Sequence, residues 1–186
     1  MNDFNIDYFM LCVGQEFRKE KKGKNKKTKI IGQNIGKLVK VLNEFERGVF
    51  KKLSVYTLKL YAIQLEIPLC VLINRAEASY YGIEQTNESN HTINTSIELQ
   101  NQDVEQLVYN VGETLREIRE EKGYRQIDLA KKIGITKQTY SSYERITRVQ
   151  ISLYKIAEIC NELDISVYEV IYRAEKRLYE DLKSRK

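Results

Sequence analysis

From Asp103 to Lys122, apolar side chains fall at Leu107, Val108, Val111, Leu115 and Ile118. Spacings of three and four place them on one stripe of a helix, and Gly123 is a natural stop. "RQIDLAKKIG" predicts a short second helix with Ile127, Leu129, Ala130 and Ile133 inward, and Gly134 supplies the positive φ of a sharp turn. A third helix follows, capped by the Thr136 hydroxyl and stapled by Ile135 and Tyr140. Tyr140 and Tyr143 face the body, which leaves Lys137, Gln138, Ser141 and Ser142 on the outer, N-terminal side. "ISLYKIAEICNEL" predicts a fourth helix, with Ser152 as cap, Ile151 and Ile156 as staple, and Leu153, Ile156, Ala157, Cys160 and Leu163 inward. A fifth starts at the capping box Ser166-x-x-Glu169.

The same pattern stands 98 residues earlier. Laid over 111–175 without a gap, residues 13–77 give 16 identities in 65 positions, among them Val13/Val111, Gly14/Gly112, Gly36/Gly134, Glu46/Glu144 and Arg47/Arg145. Identities that keep one offset throughout indicate a duplicated unit, long enough for each copy to close its own core. The expected organisation is a first domain over 1–77, a linker over 78–100 and a second domain over 101–186. The linker, "ASYYGIEQTNESNHTINTSIELQ", is rich in Asn, Ser and Thr and has no lasting helical period beyond its start.

Composition narrows the class. The 186 residues are 42% hydrophobic and 31% charged, with one Pro, which favours packed helices under a solvated surface. No apolar run approaches the ~20 residues of a membrane span. The N-terminus carries acids where a signal peptide has its positive region, so a cytoplasmic protein with no membrane association is expected. Cys12, Cys70 and Cys160 are scattered in apolar stretches and read as small core residues; His91 is the only histidine, so no metal site is expected. There is no Gly-rich phosphate loop, no HExxH and no nucleophile–base pairing. The expectation is a non-enzyme without cofactor.

Charge is uneven. Residues 1–90 hold 15 Lys/Arg against 10 Asp/Glu, whereas the rest balance at 16 each. Between Arg18 and Lys40 stand ten basic residues and one acid, Glu20. The run "RKEKKGKNKKTK" is either a solvated loop or a surface for phosphate or an acidic protein.

The stretch "LREIREEKGYRQIDLAKKIGITKQTYSSYERI", followed by "ISLYKIAEICNELDISVYEVI", resembles the Cro/phage-repressor (xenobiotic-response-element) type of helix-turn-helix domain over about Val111 to Ile171. Gln126 at the second helix start, Ala130 before the turn, Gly134 in it and Glu144 closing the third helix stand at the family spacings. The resemblance implies an all-α chain of two tandem five-helix repressor-like helix-turn-helix domains, the first degenerate, of prokaryotic or phage kind. It also implies double-stranded DNA as partner. By the family pattern Lys137, Gln138 and Ser142 meet base edges with Ser141 nearby, Gln126 and Thr136 hold phosphates at helix starts, and Arg145 and Arg148 are phosphate clamps. Glu144 is expected to pair with a base inside the domain. One departure stands out: Ile146 occupies a place where the family usually has Gly, while Gly48 keeps it in the first copy.

The first copy has lost the polar tip. Leu38 stands where Thr136 caps, Val39 where Lys137 reads, and Glu44 where Ser142 stands. Leu38, Val39 and Val41 form an expected interaction patch for self-association or another protein. The function expected is a sequence-specific DNA-binding transcriptional regulator, reading an operator through its C-terminal domain as a homodimer or as an intrachain pseudo-dimer. The first copy would then serve dimerisation, phosphate contact or partner binding. The alternative is a protein-binding module of the phage-inhibitor or antitoxin type.

Overall fold

The computed structural model describes residues 4–83, 99–145 and 151–185. Among them are ten helices and no strand, so the chain is all-α. They are α1 (Ile6–Gly23), α2 (Thr28–Asn34), α3 (Val39–Glu46), α4 (Val55–Gln64), α5 (Leu69–Tyr81), α6 (Asn101–Glu121), α7 (Gln126–Lys132), α8 (Lys137–Arg145), α9 (Leu153–Leu163) and α10 (Val167–Ser184). They form two compact units, one built on α1–α5 and the other on α6–α10.

Each unit repeats one plan. In the first, α1 packs along α5 and against α3, and α2 against α3; in the second, α6 packs along α10 and against α8, and α7 against α8. The cores also keep the 98-residue register. Val13, Phe17, Ile31, Leu42, Leu58, Leu65 and Ile73 are buried, and so are Val111, Leu115, Leu129, Tyr140, Ile156, Leu163 and Ile171. Burying each such side chain fully is worth about 1.5–3 kcal/mol against leaving it in water. Phe17 packs edge-on against Phe45 and beside Tyr61, with ring centroids 5.4 and 5.0 Å apart. α1 reaches α3 closely because residue 14 is glycine: a Cβ there would lie 2.3 Å from the Phe45 carbonyl oxygen.

The helix ends use the expected chemistry. Ser152 Oγ accepts from the Lys155 amide at 3.2 Å and Ser166 Oγ from the Glu169 amide at 3.1 Å. The Glu169 carboxylate accepts from Arg173 Nε at 2.7 Å. α6 starts two residues before Asp103, at a capping box in which the Asp103 carboxylate accepts from the Gln100 amide at 2.8 Å. Gly36 and Gly134, at φ 65° and 69°, make the left-handed turns before α3 and α8.

Two expectations change. Arg18 to Gly23 of the basic run lie in α1 and Thr28 onward in α2, so only a short stretch of it is loop. Lysine is a good helix former, and Phe9, Val13 and Phe17 bury the stripe that carries α1 onward, with Lys21 itself buried one turn later. Ile127 is 52% exposed, not inward, because it stands about 200° round a short helix from buried Leu129. The helical start of the linker continues from the first unit, as expected: α5 runs on past residue 77 to Tyr81, where Gly82 caps it in the left-handed region. Cys12, Cys70 and Cys160 are all buried, and burial pushes the Cys12 thiol up. Residues 84–98, with His91 and most of the expected linker, lie outside the described residues. Among the described residues no single helix is long and apolar enough to cross a membrane.

Candidate nucleic-acid interface

The geometry of α8 rests on one buried ion pair. Arg119, at the end of α6, grips Glu144, in the last turn of α8, with two donors: Nε to Oε1, and Nη2 to Oε2 at 3.0 Å. The two side chains are 8% and 1% exposed. Arg119 Nη1 also donates to the Tyr124 carbonyl at 2.7 Å, fixing the turn between α6 and α7. The bond to Glu144 holds the guanidinium even further above its usual range. A two-pronged charge-assisted contact of this kind fixes orientation as well as adding energy. Glu144 is thus an internal anchor, as its charge suggested.

That anchor orients the outward turn of α8. Thr136 is exposed and caps the helix, its Oγ1 accepting from the Thr139 amide at 3.1 Å. Lys137 and Gln138 are exposed. Ser142 is half-buried and donates from Oγ to the Thr139 carbonyl at 2.7 Å. Ser141 is 5% exposed, its Oγ accepting from Arg145 Nε and Nη2 at 3.0 and 2.6 Å. Lys137 and Gln138 therefore offer the open polar surface, with Ser142 one turn behind Gln138 on the same row. Gln126 is half-buried and donates from Nε2 to Glu144 Oε2 at 2.7 Å, which ties the start of α7 to the anchor. Arg145 is exposed; Arg148 and Ile146 lie outside the described residues.

Residues 115–170 match a helix-turn-helix family model. The chain is also similar to the HTH-type transcriptional regulator SinR of Bacillus licheniformis, 30% identical over 70 residues that cover 38% of this chain and 63% of that protein. The SinR of Bacillus subtilis (strain 168) is 33% identical over 61 residues, covering 33% of this chain and 55% of that protein. Residues 115–170 form a helix-turn-helix domain of the Cro/phage-repressor type. The similarity spans less than two thirds of the length of either relative. No solved structure matches the chain.

Against this helix-turn-helix domain the first unit keeps the anchor and changes the tip. Lys21 replaces Arg119 and Glu46 stands for Glu144, with Lys21 Nζ donating to both carboxylate oxygens at 2.6 Å and to Thr28 Oγ1 at 2.6 Å. Thr28 stands where Gln126 does, so in both units the first residue of the second helix joins the buried network. The first unit adds the buried Tyr61 hydroxyl, which donates to Glu46 Oε1. At the tip, Leu38 is 74% exposed and Val39 37%, Val41 is half-buried, and Leu38 caps nothing with its side chain.

Two contributors escaped the motif reading. Arg119 sits at the end of a long helix among other charges, and its signal was available: it stands on Lys21 at the repeat offset, a basic residue for a basic residue. The bonding of Arg145 to Ser141 follows from an i,i+4 spacing that a reading of exposed tips passes over.

Proposed function

We propose that the chain is a DNA-binding transcriptional regulator whose second unit reads an operator through α8. The observation that carries this reading is the open polar first turn of α8, with Lys137 and Gln138 exposed beside a cap and held by the Arg119–Glu144 anchor. A helix with such a tip fits a major groove about 12 Å wide, where Gln bonds adenine with two hydrogen bonds and Lys donates to guanine. Ser142 extends the reading row, and Ser141 contributes once Arg145 swings from it to a phosphate. Thr136 and Arg145 stand at the groove edge as phosphate contacts, with Arg148 as a further clamp; Gln126 keeps one amide proton for phosphate while holding Glu144. The similarity to the SinR regulators supports the same class.

The repeated helix register supports descent of the two units from one duplicated ancestor, with domains over 1–77 and 101–186. Either both units engage DNA and one chain acts as a pseudo-dimer on half-sites about 34 Å apart, or two chains pair across a palindrome. The test is binding of the full chain to its upstream DNA and to a scrambled duplex across a salt series. The reading expects preference for the native sequence and a steep loss of affinity with salt. Equal binding to both duplexes removes it.

A second reading follows from the exposed Leu38 and Val39, an apolar pair where the second unit is polar. They suit self-association, or a protein partner for a module of the inhibitor or antitoxin type. Val39→Lys should disrupt that contact and leave folding intact. Unchanged oligomeric state and unchanged co-purification would dispose of the patch.

A further inference from the structure

The first unit carries a groove. It lies between the C-terminal half of α1 and the end of α3, has a volume of about 390 Å³, and is lined by Arg18, Lys21, Lys22, Asn43, Glu46 and Arg47. Four of these six are basic and one is acidic. The single carboxylate does not repel an anion effectively, because Glu46 is buried, ion-paired with Lys21 and hydrogen-bonded by Tyr61. The rim cations are exposed, and among the described residues no carboxylate within ion-pair distance neutralises Arg18, Lys22 or Arg47; Arg47 only returns Nε to the Asn43 carbonyl at 3.2 Å. Arg18 and Lys22 are four apart on α1, Asn43 and Arg47 four apart across the end of α3, so the two pairs face one groove from two helices.

At the corresponding positions of the second unit the charged side chains are engaged with one another or with a neighbour. Arg116 pairs with Glu113 at 2.6 Å, Glu120 replaces Lys22 and bonds Arg119 at 3.0 Å, and Arg145 bonds Ser141. The basic run noted in the sequence is thus not spent evenly. Lys24 and Lys26 turn to Glu20 and Glu66, while Arg18 and Lys22 stay with the groove.

We infer that this groove is a phosphate-binding site: it takes a phosphoryl anion, held by Arg18, Lys22 and Arg47 with the Asn43 amide, over the neutralised Lys21–Glu46 floor. Guanidinium groups suit phosphate because their planar forks donate two hydrogen bonds to two oxygens. The volume lies at the lower end of small-ligand pockets, roughly 300–1,000 Å³, so a diphosphate or a phosphate ester fits as well as a single backbone phosphate. The inference deepens the proposed role of the first unit as a phosphate contact, and it does not depend on the second unit reading bases.

The test uses the full chain, with pyrophosphate titrated calorimetrically at low salt and a scrambled duplex titrated in parallel by fluorescence anisotropy. Two triple variants are compared: R18A/K22A/R47A inside the groove and K27A/K29A/K37A, of equal charge change, outside it. Circular dichroism checks that both fold. The inference expects pyrophosphate affinity to fall by about tenfold or more in the groove variant and to hold within about twofold in the other. If pyrophosphate fails to bind but the groove variant alone lowers the salt slope of duplex binding, by about 0.9 per phosphate lost, the natural source is the nucleic-acid backbone and the inference stands. If pyrophosphate binds through the groove and duplex binding is unmoved, the source is a free phosphorylated ligand. Equal losses in the two variants, or no loss in either assay, overturn the site. Loss of operator preference by a variant of Gln138 bears on α8 alone, so the two proposals fail separately.

Discussion

Helices α3 and α8 hold the same place in the two units and bury the same positions, Leu42 and Phe45 against Tyr140 and the half-buried Tyr143, with Glu46 against Glu144. Their outward turns have opposite chemistry: Leu38 and Val39 on one, Thr136, Lys137 and Gln138 on the other. The inner faces are constrained by packing and by a buried charge that must be neutralised. The outer turns are the more exposed part of each helix, so their chemistry can change with less loss to the fold. The unpaired cations beside α3 and their bonded counterparts beside α8 repeat the contrast at the other end of each helix.

The comparison breaks most visibly at the buried pairs. Removing one partner of a buried ion pair leaves an uncompensated charge, at a cost of about 3–5 kcal/mol. Glu144→Ala strands the rigid planar fork of Arg119, whereas Glu46→Ala strands a single ammonium on the flexible stem of Lys21, which can carry it toward water. Urea unfolding followed by circular dichroism should therefore show the larger loss for Glu144→Ala; equal losses would mean the two anchors are not different in kind.

The next effect is on recognition. Gln138→Ala should cost ~1–3 kcal/mol at one base pair of the operator and leave the others alone. The matched change in the first unit, Lys40→Ala, should shift no base preference. Competition binding with single-base operator variants reads both, and a uniform weakening by Gln138→Ala would move that residue from base to backbone.

Smaller still is the cap. Thr136→Ala removes the bond to the Thr139 amide and should cost about 1 kcal/mol. Leu38→Thr supplies a cap that α3 lacks and should stabilise the first unit by up to about 1 kcal/mol. Opposite shifts in thermal midpoint would sharpen the comparison, and a destabilised Leu38→Thr would show that Leu38 is held by a contact of its own.

The smallest effect at ordinary pH comes from two tyrosines. Burial, then the hydrogen bond and charge of Glu46, hold the Tyr61 phenol far above its usual value near 10. Burial, then the Glu144 charge, does the same for Tyr140. The folded chain keeps both protons where the unfolded chain loses them, so their contribution is complete below about pH 10 and declines as pH rises beyond it. Tyr61→Phe should flatten part of that decline in a denaturation series; an unchanged slope would exclude Tyr61 as its source.

Much of this was legible in the residues. The apolar stripes placed the helices of the second unit nearly to their ends, and Ser152, Ser166 and Thr136 marked three caps by type alone. Lys137 and Gln138 were legible as an open tip because they stand in the first turn after the cap, ahead of the buried Tyr140. Ile127 was not, because a seven-residue helix buries too narrow an arc for periodicity to assign its first turn. Ser141 was not: it is buried, and its hydroxyl accepts from Arg145 one turn on, a pairing that a reading by residue type does not reveal.

By itself the sequence determined the helical class, the 98-residue register and the polar character of one tip against the other, since these depend on local periodicity and residue type. Only the tertiary structure decided which cations are spent. Lys21 and Arg119 are drawn inside by carboxylates 25 residues away, Gln126 turns to Glu144, and Arg18, Lys22 and Arg47 are left around an open groove. The reason is physical: a charge is drawn inside only where a partner meets it in three dimensions, and no local pattern of residues encodes that meeting.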